Sequence, residues 1–208
     1  NTMLILPSTI GAAFLPRLSR AYRKGDSGQD LIIGAKLLGT GAVLISILAS
    51  AYGPPIITRI LGQAYSPTAD AFGVLSWVFM PYALALFVGQ SLSVIDRRNT
   101  AAAVMLLMVV TQGFLLVWLY PTLGKAAIAV SMLAGSLAGM AISLLAVHRQ
   151  LPLSDTTWPL KLLVTTGVAY AVLRAEFLAP WLQPLVAMSV AVALFAALRI
   201  LDGDDMLA

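Results

Sequence analysis

Seven apolar stretches, most of roughly 20 residues, separated by short connections rich in Gly, Pro and charge, restrict the fold of this 208-residue chain more than any other feature. Bilayer hydrocarbon offers no water to a peptide group, so a chain that is apolar over such lengths satisfies its own N–H and C=O groups by forming helices. Charged residues make up only 11% of the sequence, against about 25% in an ordinary soluble domain. No segment carries enough polar surface for a separate soluble domain. The expected fold is all-α: a polytopic transmembrane helical bundle of seven spans.

The spans read as Met3 to Leu15, Leu31 to Tyr52, Ser66 to Ile95, Thr100 to Tyr120, a fifth that follows the PTLGK turn and ends near His148, Leu160 to Leu173, and Trp181 to Leu201. Tyr52, Gly53, Pro54 and Pro55 are expected to stop the second. Ile56 to Leu61 then reads as a short interfacial piece with Arg59 on its polar side. Ser66 and Pro67 make an N-cap and first-turn pair, because proline lacks an amide hydrogen that would be unsatisfied there anyway. The sixth span has an uninterrupted apolar core of only 12 residues, Leu162 to Leu173. Lys161 and Arg174 would have to snorkel for it to cross, and a re-entrant segment is the alternative. The opening Asn1, Thr2, Met3 has no basic region before the apolar run, and is expected to lie inside a longer protein.

Seven spans place alternate connections on opposite sides, so basic residues can be counted for each side. One side holds Arg17, Arg20, Arg23, Lys24, Lys36, Arg97, Arg98, Arg149, Lys161 and Arg199; the other holds Arg59, Lys125 and Arg174. Ten against three predicts that the first residue is outside and the C-terminus cytoplasmic. The net charge of +4 does not indicate nucleic acid, because the basic residues are scattered at helix ends with no stripe interleaved with aromatics.

Catalytic chemistry finds little here. There is no cysteine, and the single histidine, His148, stands at a helix end with no carboxylate at helical spacing. No Asp or Glu falls in the middle of a span, and phosphate loops and nucleophile triads are absent. Asp202, Asp204 and Asp205 lack the rest of a calcium loop. The chain is expected to be neither an enzyme nor a cofactor or metal protein.

Several segments occur in a telling order: PRLSRAYRKGD after the first span, YGPPI after the second, LGQAYSPTADAFGVLSW opening the third, GQSLSVIDRRN closing it, and LYPTLGKAAIAVSMLAG joining the fourth to the fifth. Over about residues 1–150 this resembles the C-terminal half of polysaccharide-exporter flippases of the multidrug/oligosaccharidyl-lipid/polysaccharide superfamily. The family patterns are matched by Pro16, Ser19 and Arg20, by Gly62 and Tyr65, and by Leu119, Pro121, Gly124 and Ala127, with a departure at Lys125 and Ala126. The resemblance implies that residues 1–150 form the C-terminal lobe of a two-lobe fold, helices eight to twelve. Residues 151–208 would add an accessory transmembrane hairpin and a cytoplasmic tail. It further implies a multi-pass protein of the bacterial inner membrane that exposes a lipid-linked oligosaccharide first inside and then outside. Its partners would be that substrate, membrane lipids, the N-terminal lobe of the same protein and the polysaccharide polymerase machinery. A peptidoglycan-precursor flippase and a multidrug antiporter are the alternatives within the superfamily. From other classes, a membrane-embedded glycan polymerase or ligase and a non-transporting assembly subunit stay open.

Particular residues carry sharper expectations. Arg17, Arg20, Lys36, Arg97 and Arg98 lie at one set of span ends, where they anchor topology or fork hydrogen bonds to a lipid phosphate. Lys36 is the best candidate for the second role, about a turn and a half inside its span. Gln90, Gln112 and Thr111 would be costly facing lipid, so they hold helices together or meet sugar hydroxyls. Pro7 and Pro81 each remove a helical hydrogen bond, giving a kink that is either static or a hinge. Ala127, Ser131, Gly135, Gly139 and Ser143 recur every four residues, a stripe that suits close helix packing, with a homodimer face or a cavity wall as the alternatives.

Overall fold

A computed structural model describes residues 14, 16, 19, 20, 27–94, 97–149, 157–174 and 182–198. The expected first span and the C-terminal tail therefore lie largely outside the described residues. What is described is helical, with no strand: α1 (Ser27–Leu61), α2 (Ser66–Leu75), α3 (Phe79–Val94), α4 (Arg98–Leu123), α5 (Ala126–His148), α6 (Trp158–Leu173) and α7 (Gln183–Ala197). Four stretches, Gln29–Leu61, Gln63–Val94, Arg98–Leu123 and Ala126–His148, are long and apolar enough to cross a membrane. This is a membrane-spanning protein. At 1.5 Å per residue α6 and α7 reach only about 24 Å and 22 Å, short of a hydrocarbon layer of about 30 Å.

Three boundaries differ from the sequence expectation. First, α1 does not stop at Pro54 and Pro55 but runs through both to Leu61. These prolines deprive the Ser50 and Ala51 carbonyls of their donors. One turn on, the Thr58 hydroxyl donates to the Pro54 and Pro55 carbonyls, at 3.1 and 3.2 Å, and the Phe72 ring of α2 lies so close over Gly53 that any Cβ there would collide with it. Tertiary packing thus bears on a segment whose own propensity is to break.

Second, Ser66 is the first helical residue rather than the cap. Tyr65 occupies the capping position and no side chain caps the helix, because a 3₁₀ turn, Gln63–Tyr65, leads directly into α2. Gly62, at φ 91°, makes the sharp exit from α1 that allows this. The expected third span is also divided, since a second 3₁₀ turn, Ser76–Val78, separates α2 from α3. Pro81 has no N–H for the Trp77 carbonyl to accept, which weakens the α-helical pattern at this turn. Third, α4 continues through Pro121 to Leu123, three residues beyond its expected end, and turns at Gly124, whose φ of 55° suits glycine.

The chain forms two compact units, Asn1–Leu38 with Val78–Asp155, and Gly39–Trp77 with Thr156–Ala208. In the first, α3, α4 and α5 pack on one another. α4 and α5 form an antiparallel hairpin in which Gln112 lies against Gly135 and Met108 against Gly139, so that four residues along α4 match four residues back along α5. Met105 of α4 covers Gly89 of α3 in the same way. In the second unit α6 and α7 pair. Trp158, Leu162, Thr165 and Ala169 form the buried stripe of α6; Pro184, Ala187, Ala191 and Phe195 form that of α7.

Candidate functional site

A charged or polar side chain in an apolar helix must find a partner or a water-filled space, so such groups are the first candidates for function. In the first unit the leading one is Lys36. It is 4% exposed, on a part of α1 where Leu31, Ile32, Ile33, Ala35 and Leu38 are buried too. Lys36 is engaged with other groups, as is Asp30 at the start of the helix. Two turns of helix with almost no exposed side are possible here because Gly34 admits aromatic rings. Phe87 and Phe14 approach it so closely that a Cβ would meet both, and the two rings meet edge to face at 6.2 Å.

The other basic candidates are in different surroundings. Arg97 and Arg98 are exposed at the connection from α3 to α4. Arg20 is exposed and its Nε donates to the Pro16 carbonyl at 3.3 Å. Arg17 and Pro7 lie outside the described residues. Gln90 and Thr111 are half-buried, on α3 and α4, and Pro81 is buried in the first turn of α3.

Gln112 and the small-residue stripe belong together. The Gln112 side chain fills the space above Gly135, where even a Cβ would collide with it. Ala127, Ser131, Gly135, Gly139 and Ser143 are all buried, and the glycines receive α4 side chains of the same hairpin. The Ser131 hydroxyl is satisfied by the Ile128 carbonyl at 3.0 Å. The Ser143 hydroxyl is buried with no hydrogen-bond partner; the hairpin register sets it level with buried, apolar Val104.

The second unit contains an arrangement that the sequence reading missed. Trp77, in the 3₁₀ turn, donates its indole N–H to the Ser50 hydroxyl of α1 at 3.1 Å. Its ring meets Tyr170 of α6 edge to face, centroids 5.4 Å apart. Arg174 lies over the other ring of this pair, its guanidinium carbon 5.6 Å from the Tyr170 centroid. The spacing of Tyr170 and Arg174, one helical turn, was the only sequence signal for any of this. Thr40 and Ser46 hydroxyls and the Trp158 indole N–H are buried without partners in the same unit. Among the described residues no group of three potential metal ligands occurs.

No protein family, curated protein or solved structure matches the chain.

Proposed function

We propose that the chain is the C-terminal part of a flippase of the bacterial inner membrane, one that translocates polyprenyl-diphosphate-linked oligosaccharide by alternating access for surface polysaccharide assembly. The ordered motifs from Pro16 to Ala127 suggest the reading, and Lys36 is the observation that carries it. A lysine is expensive within a span unless it does something there, and this one is 4% exposed and engaged with other groups. An ammonium already positioned by other groups suits a diphosphate, whose oxygens accept charge-assisted hydrogen bonds from it when the substrate reaches α1. Gln90 supplies a neutral amide on α3, and Pro81 stands in the first turn of α3, next to the 3₁₀ turn that interrupts the helix. The N-terminal lobe would complete the transport path, and the polymerase machinery would receive the product.

The test is export of the lipid-linked glycan by the complete transporter at matched protein level. Lys36→Met keeps the packing of the lysine stem and removes the charge; it should lower export about tenfold or more, the worth of a charged hydrogen bond. Arg149→Ala, at an exposed residue after α5, should leave export unchanged. Equal effects of the two substitutions would remove Lys36 from the substrate path and the reading with it.

A further inference from the structure

We propose that Arg174, braced by Tyr170 and Trp77, forms a site for the phosphodiester of a membrane phospholipid at the C-terminal end of α6. Arg174 follows directly on α6, a helix of 16 residues. Such a helix extends about 24 Å, several ångströms less than bilayer hydrocarbon. Helical side chains lean towards the N-terminus, and Arg174 does so, lying back over Tyr170 rather than reaching beyond the helix end. Its charge thus sits about a turn further in than snorkelling would place it.

The guanidinium is also held in one orientation. Tyr170 lies beneath it, Trp77 abuts Tyr170 edge to face, and Trp77 is itself buried and hydrogen-bonded to Ser50. A cation–π contact occupies one face of a guanidinium and leaves the N–H groups on its edge available for forked bonds to an oxyanion. The exposed residues Leu160, Val164, Gly167 and Ala171 line the same face of α6, giving an acyl chain an apolar strip that leads away from the arginine. A phosphate with a hydrocarbon tail matches both halves of this surface, and drawing its headgroup inwards would fit the bilayer to the short helix.

Native mass spectrometry of the full chain in detergent, titrated with phosphatidylglycerol, phosphatidylcholine or diacylglycerol, tests the proposal. Both phospholipids should be retained and diacylglycerol should not. R174Q should weaken retention about tenfold and R174K roughly threefold, because an ammonium keeps the charge but not the fork. R59Q, at an exposed arginine near the end of α1, should change nothing. The proposal is overturned if R174Q binds like the parent, if R59Q weakens binding equally, or if diacylglycerol is retained as well as the phospholipids. Competition by inorganic phosphate at lipid-like concentrations would also overturn it, by showing a free-anion site.

Discussion

Helices α3 and α4 are neighbours in sequence and alike in apolar character, yet they occupy opposite environments. Eleven of the 16 residues of α3 are buried, on every side of the helix. Only Ala101, Val104 and Met108 are buried among the 26 of α4, while Phe114, Val117 and Trp118 are each about two-thirds exposed or more. α3 is an internal post of its unit; α4 is a wall with most of its circumference left uncovered by its unit. In a soluble protein the second pattern would be an aggregation surface, but lipid tails solvate Phe and Val as well as another helix does. Apolar character thus marks both helices as membrane-embedded and says nothing about which is central.

Two phenylalanines turn this contrast into a measurement. Phe87→Ala should destabilise the protein by about 3 kcal/mol, because it leaves a cavity among Gly34, Phe14 and the core of α3 that lipid does not fill. Reversible unfolding in micelles or bicelles would show it. A loss below about 1 kcal/mol would mean that α3 is not enclosed. Gly135→Val acts on the stripe by which α4 is attached to α5. The new side chain would force Gln112 out of the hairpin, at a cost of about 2 kcal/mol, and crosslinking between cysteines introduced on α4 and α5 should become inefficient. Phe114→Ala, the smallest effect, should stay within about 0.5 kcal/mol, since the same hydrocarbon surrounds the position in either state. A large loss there would place another protein surface against α4.

Much of the fold was legible in advance because its main determinant is one-dimensional. The fourth and fifth helices, the turn between them and the connection at Arg97 and Arg98 follow from apolar length and from glycine at a position that needs positive φ. The small residues of α5 were legible as a packing stripe. What filled them was not, since nothing about Gly135 or Gly139 in the sequence points to Gln112 and Met108 in particular. Lys36 stood out as a charge within a span. The chain of contacts from Ser50 through Trp77 and Tyr170 to Arg174 did not, because it joins residues more than ninety positions apart.

The sequence by itself determined that this chain is helical and spans a membrane. Each peptide group in hydrocarbon must be satisfied within its own helix, and that requirement is met locally and is visible as apolar length. Tertiary structure decided which faces are enclosed and where helices yield. Pro54 and Pro55 lie inside a helix of 35 residues, whereas the helix above Pro81 gives way to a 3₁₀ turn. The cost of a proline is set locally, but whether a helix continues through it depends on neighbours such as the Phe72 ring, which seats against Gly53 only once α1 and α2 have come together.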